Sequence, residues 1–384
     1  MSNSSFISSS RPARARSPAR RFLRRLSLFL LPLAVAAFLG TGIALISGEL
    51  IPVGVVAWLQ TRGKPFVFLP EFSDHSYRLK LDAVLRQRPE ALALGSSRAN
   101  QWRSAMFRPT SFYNAANAVF VMRDFHRMLE EFGDFTPRVI LFSMDYFTFV
   151  PAFEAVYRHQ SREDLGSWGS PEQIRIIQRA FAELMRNPKA LWSSPRDGVS
   201  ALGLSAIKTG VGFRLDGSYH YGARDPVRGQ DTVAAIAAGT QWPVPPASRL
   251  EDASKLEFER FTDLARRKGV VLVGVTMPFV PEVRAAMERS PLYQAWRQFE
   301  SDETREWIRK QGVIYFDFSK LESFSGRPDE FADPFHPSEP AYIRMLISML
   351  ANDRFRALFP NIDMGGLEER LKLATRLEAY GNEF

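Results

Sequence analysis

The chain has 384 residues and a formal net charge of +8, from 50 Lys and Arg against 42 Asp and Glu, with 45% hydrophobic residues and 31 Phe. Seven of the arginines fall within residues 1–25, which hold no acid, leaving 43 basic against 42 acidic residues elsewhere; a body so balanced argues against nucleic acid as a partner. Cysteine is absent, which excludes disulfides, thiolate metal sites and a cysteine nucleophile.

Residues 1–25, rich in Ser, Arg and Pro, read as a disordered basic tail. Leu26–Ser47 carries no charge and has about the 20 residues that a helix needs to cross a bilayer. The arginines on its N-terminal side place that end in the cytoplasm and the rest of the chain outside an inner or cytoplasmic membrane. Ala34-Val-Ala36 has the small-x-small form of a signal cleavage site, but cutting there would leave about a dozen mostly apolar residues at the new terminus, so we read 26–47 as an uncleaved anchor. Ile51–Gln60 reads as an interfacial continuation, Gly63-Lys-Pro65 as a short linker, and His75–Gln87 as a helix stopped by Pro89.

Strands and helices then alternate. Ala91–Leu94, Ser111–Asn114, Val139–Met144, Val270–Val275 and Val313–Phe318 read as strands, several of them continuous apolar runs of the kind buried on both faces. Val119–Phe132, Leu250–Arg267, Leu292–Gln311 and Ala341–Asn352 have helical spacing. The order predicts an α/β fold, a three-layer doubly wound parallel sheet over 64–360, with ligands beyond the C-terminal ends of its strands. Residues 150–248 break the rhythm with one clear helix, Pro171–Met185, and a Gly-, Trp- and Tyr-rich stretch; they read as an insertion after the third strand. Residues 361–384 form a tail with a short amphipathic helix over Leu367–Ala379.

The chemistry is concentrated in two places. Near the C-terminus the chain reads Phe331-Ala-Asp-Pro-Phe-His-Pro-Ser-Glu339. Asp333 can hold one imidazole nitrogen of His336 and leave the other to take a proton, the base half of a serine triad. His336 alone among five histidines has an Asp three residues earlier. The fitting nucleophile is Ser97, in Leu94-Gly-Ser-Ser-Arg98 directly after the first strand. Gly95 permits the tight turn, and Ser97 would open a helix with its own N–H toward a developing oxyanion.

A Gly-x-Ser after the first strand with Asp-x-x-His before the last helix resembles the SGNH (GDSL-like) hydrolases and acyltransferases, over residues 90–352 apart from the insertion. The resemblance implies Ser97 as nucleophile, His336 as base and Asp333 as the residue that orients it. It also implies that Tyr113-Asn-Ala-Ala-Asn117 is the second family block, whose Ala116 N–H joins that of Ser97 in an oxyanion hole. In the third block, Phe142-Ser-Met-Asp145, Met144 stands where the family has its oxyanion asparagine, so that either Asn117 substitutes or the hole relies on backbone donors alone. The Gly-Ser-Ser form and single anchor are most similar to the membrane-anchored branch, with its D-alanyl-lipoteichoic acid transfer and alginate O-acetyltransferase-like proteins. That branch implies a membrane-bound O-acyltransferase as partner, a cell-envelope or exported polysaccharide as substrate, and no cofactor. The alternatives are a catalytically inactive scaffold of the same fold, motivated by Met144, and a plain carbohydrate-binding protein. The latter is motivated by the aromatics of residues 212–221; Asp216-Gly-Ser-Tyr-His-Tyr-Gly222 reads otherwise as a turn. Arg98 reads as a solvated side chain, Asp145 as a site-lining or turn-capping carboxylate, and Asp124 with His126 as helix surface; histidine spacing gives no metal site.

Overall fold

A computed structural model describes residues 18–157, 170–188, 200–222, 230–381 and 383. Its strands are Phe66–Phe68 (β1), Ala91–Gly95 (β2), Phe112–Ala116 (β3), Val139–Ser143 (β4), Ser200–Leu202 (β5), Gly212–Phe213 (β6), Tyr219–His220 (β7), Val271–Thr276 (β8), Ile314–Asp317 (β9), Phe331–Asp333 (β10) and His336–Pro337 (β11). Five of them form one sheet in the order β3-β2-β4-β8-β9, with every neighbouring pair parallel.

Successive residues of β2 and β4 enter different cores. Leu92, Leu94, Ile140 and Phe142 pack with Phe125, Phe258 and Phe261; Ala91, Ala93, Val139 and Leu141 pack with Tyr342, Leu346 and Met349. The first set meets helices Met122–Glu131 (α4) and Asp252–Lys268, the second meets Glu339–Leu350. Burial on both faces is why these strands are apolar throughout rather than alternating. The doubly wound parallel sheet expected from the sequence is present. Its first strand, β2, lies between the second and third, so the order reverses at its C-terminal end, the switch point at which open α/β sheets bind ligands.

The N-terminal region departs from expectation. Residues 1–17 of the expected tail lie outside the described residues, but 18–25 are helical, being the start of an unbroken helix Pro18–Ile46 (α1). This helix is long and apolar enough to cross a membrane. The segment read as interfacial is a helix, Val53–Gln60 (α2), whose Val53, Val56 and Ala57 enter the domain core beside the helix Ser76–Gln87 (α3). The expected linker leads straight into β1, the hub of a second sheet in the order β5-β1-β6-β7. There Phe66 pairs parallel with Ser200, and Phe68 antiparallel with Phe213. The residues between β4 and β8 are therefore stitched to the chain's N-terminal part. Among their helices are Pro151–Tyr157 (α5) and Pro171–Arg186 (α6).

Buried Glu49 fixes the junction after α1, accepting from the backbone N–H groups of Leu204 (2.7 Å), Glu71 (2.9 Å) and Phe72 (3.2 Å). Further on, the single helix expected over Leu292–Gln311 is two, Gln294–Phe299 and Asp302–Lys310, because Ser301 caps the second through Thr304 N (3.2 Å). The tail helix runs over Met364–Leu373 rather than to Ala379, capped by Asp363.

Candidate active site

Ser97 stands just past β2, at the switch point. Gly95 has φ +142°, and a Cβ on it would lie 2.1 Å from Ser143 Oγ on β4, so only glycine lets the chain leave the sheet this close to its neighbour. The chain then makes one 3₁₀ turn, Ser97–Ala99, capped by Ser96, whose Oγ accepts from Arg98 N at 3.3 Å. No α-helix follows, so the helix dipole expected behind the Ser97 N–H is missing. Hydrogen bonds hold the turn instead. Asn114, buried in β3, donates to the carbonyls of Ala99 and Trp102, both at 2.9 Å, and the Tyr342 hydroxyl donates to that of Arg98.

His336 arrives on the β10–β11 hairpin, where Asp333 is its register partner. Its Nε2 lies 2.8 Å from Ser97 Oγ, and its Nδ1 lies 2.8 Å from both carboxylate oxygens of Asp333. Asp333 Oδ1 also accepts the N–H groups of Phe335 (2.9 Å) and His336 (3.0 Å), so the turn that returns the histidine is built on the carboxylate itself. Burial alone would raise the Asp333 carboxyl, but the hydrogen bond and charge of His336 and these two N–H groups outweigh it and hold it below the ordinary value. The structure thus brings together Ser97, His336 and Asp333, residues 239 positions apart at the extremes of the domain.

The expected oxyanion donors fare differently. The N–H of Ala116 is already given to Asn114 Oδ1 at 2.8 Å, so Ala116 is not the free donor it was expected to be. The Ser97 N–H has no partner among the described residues. Asn117, at φ +67°, donates its backbone N–H to Gly95 O (2.8 Å) and holds its side chain at the site mouth by an Nδ2 bond to Ser76 Oγ (3.3 Å). Its second amide hydrogen has no partner among the described residues. Met144 is fully buried with its sulfur against Gly274, which keeps it out of the site.

Arg98 is not solvated. It is buried, with Nε 3.1 Å from Asp145 Oδ1, its Nη2 donating to the carbonyls of both Met277 (2.6 Å) and Pro278 (2.9 Å), and its guanidinium 3.8 Å above the Phe279 ring. Burial raises the Asp145 carboxyl, against the opposing charges of Arg98 and His336. Arg98, which sequence reading took as solvated, and Asp145, read as site-lining or turn-capping, form a buried strut under the Ser97 turn.

Ser97, His336 and Asp333 open on a cleft of about 340 Å³. One wall is Phe68–Pro70 and Ser73–Ser76, a segment that carried no sequence signal beyond His75. Another is the β6–β7 hairpin, which brings Phe213, Tyr219 and Tyr221 into the lining. Tyr221 lies 6.0 Å from the His336 ring, and Tyr219 N donates to Asn100 O at 3.0 Å, which fixes the hairpin to the Ser97 turn. Asp216 sits behind this hairpin, bonded to Ser218 and Ser104 and paired with Arg103 (3.3 Å); Arg103 and Ser218 hold its carboxyl down to about 2 despite burial. Among the described residues no group of three or more His, Asp or Glu is placed to hold a metal ion. No family model, curated protein or solved structure matches the chain.

Proposed function

We propose that the protein is a membrane-anchored serine O-acyltransferase or esterase of the SGNH type, acting on a polysaccharide outside the cytoplasmic membrane. The observation that carries this reading is the unbroken relay Ser97 Oγ–His336–Asp333, with 2.8 Å at each step, open to a cleft lined by aromatic rings. In the proposed reaction Ser97 Oγ attacks an ester carbonyl while its proton passes to His336 Nε2, and Asp333 stabilises the imidazolium and fixes its tautomer. The Ser97 N–H and the Asn117 amide receive the negative oxygen. As the tetrahedral centre collapses, the bond to the leaving oxygen breaks and His336 returns the proton to it. The acyl group, now on Ser97, passes to a sugar hydroxyl or to water by the reverse sequence. Phe213, Tyr219 and Tyr221 supply flat faces on which sugar rings stack.

The apolar helix α1 with arginines at its start supports an N-terminus inside and a domain outside the membrane, where a membrane-bound O-acyltransferase is the proposed donor partner. Asn117 supplies the side-chain amide whose loss at Met144 motivated the scaffold alternative. The test is turnover of a chromogenic acetyl ester by the full chain against Ser97→Ala. Loss of turnover in the variant supports the reading; equal rates overturn it. In cells, polymer modification that survives Ser97→Ala and His336→Ala would identify a scaffold.

A further inference from the structure

Ser97 and His336 line a second cavity as well, and they are the only residues it shares with the cleft. Its remaining wall is mostly apolar (Phe120, Phe147, Phe153, Val244, Phe279 and Phe335), with Ser96 and Arg98 as its polar members. It measures about 20 Å³, where one water needs roughly 10–15 Å³ on this scale. The space therefore admits about one carbon-sized group beyond an ester carbonyl. Its floor does not yield easily. Phe153 of α5 packs on Phe147 at 4.6 Å and stacks on Trp242 at 5.4 Å and 20°, so rings hold it on two sides. The one permanently charged side chain in the lining is Arg98, whose Nε faces Asp145 and whose Nη2 donates to two carbonyls, with Nη1 unpartnered among the described residues. An acyl group bearing an ammonium finds no counter-charge there, and meets a cation.

We propose that this cavity is the acyl subsite: it seats a neutral two-carbon acyl group on Ser97 and rejects longer chains, with Phe153 setting its depth, while the alcohol half of the ester and the acceptor occupy the aromatic cleft. The inference rests on the serine-acyl reading above. It makes the residues between β4 and β8, which supply Phe147, Phe153 and Val244, a specificity element.

Alkanesulfonyl fluorides test it directly. Ser97 Oγ attacks sulfur, the S–O bond forms as S–F breaks, fluoride leaves, and the hydroxyl proton passes to His336. The adduct then holds its alkyl chain where an acyl chain would lie. Full-length protein in lipid nanodiscs is treated with methane- or butanesulfonyl fluoride, adduct formation is followed by intact mass, and Ser97→Ala is the control. Rates are corrected for each reagent's hydrolysis in buffer. Methane should label Ser97 at least about tenfold faster than butane, the scale of discrimination by methylenes in an apolar pocket. Phe153→Ala, and independently Val244→Ala on another wall, should bring that ratio toward one. A ratio does not depend on how much of a variant is folded. A wild-type ratio near one, or a ratio unmoved in both variants, overturns the subsite and leaves the serine reading standing. No adduct at Ser97 with either reagent removes the serine reading and the subsite with it.

Discussion

Three side chains at the site have roles that substitution can separate. Asp333 holds His336 through Nδ1 and also ties the turn through two N–H groups. Asp333→Asn keeps an acceptor for the turn but faces Nδ1 with an amide, so ester turnover should fall roughly 10⁴-fold in kcat with little change in KM. Asn117→Gly removes the amide donor while suiting the φ of +67°; kcat should drop about 10²–10³-fold, and an unchanged kcat would take Asn117 out of the oxyanion hole. Lys80 makes a different prediction. Its ammonium is buried, donating to the carbonyls of Asn114 (2.9 Å) and Gly217 and lying 4.1 Å from the Phe213 ring. Burial nonetheless lowers it to about 7, against the charge of Asp216. An unfolded lysine titrates near roughly 10.4, so between about 7 and 10 the unfolded chain binds the extra proton. Stability should therefore rise with pH across that window, by up to about 1.4 kcal/mol per unit, with the full cost of the buried charge present below it. Thermal unfolding at pH 6, 7.5 and 9 should show this rise in wild type and its absence in Lys80→Met. Ser97, Asp333 and His336 were legible because each sits in a short local motif. Arg98 with Asp145, and the capture of the Ala116 N–H by Asn114, were not, since each depends on a partner brought close only by the fold.

Among the secondary-structure elements, the five strands of the large sheet were legible to within a residue or two, because short, mostly apolar or aromatic runs between turn signals are enough to read. The small sheet was not. β1 and β5 have three residues each and β6 and β7 two, too few for any periodicity, and β1 pairs with β5 across more than a hundred residues. Yet this sheet supplies the hairpin that lines the cleft and anchors the segment opposite it. Glu49 is its fastening, since the N–H groups it accepts belong to Glu71 and Phe72 near the cleft wall and to Leu204 just past β5. Glu49→Ala would leave three donors unpaired, at about 1–3 kcal/mol for each that stays buried. Thermal unfolding should move down by several degrees, and amide exchange at 71, 72 and 204 should quicken before exchange in β2 and β4 does. Uniform exchange across both sheets would mean that Glu49 holds no local unit.

Over the whole molecule, the membrane-length helix is no loose tether. Gly40 and Ala44 of α1 are buried where α6 packs against it, and Ile176 and Ala180 of α6 join Ala44, Leu50 and Leu204 in a separate small core. Gly40 is what allows the approach, because a Cβ there would lie 2.6 Å from the Ile177 carbonyl oxygen and 3.1 Å from Phe181 Cβ. The contact reaches the cleft: Glu172, in the first turn of α6, lies 3.7 Å from Nε2 of His75, a cleft residue. Gly42, two positions on, faces open space with nothing within 4 Å of the same construction. The two glycines make a matched pair, since leucine at either raises helix propensity and apolarity alike. Gly40→Leu must push α6 away, a cost of about 1–3 kcal/mol for overpacking, whereas Gly42→Leu meets nothing. Both proteins should remain in the membrane fraction. Only Gly40→Leu should unfold at lower temperature in nanodiscs and show a raised KM for ester with kcat less affected, as the His75 wall shifts. Identical unfolding of the two variants would show that α1 and α6 are independent, and that the cleft takes no bearing from α1.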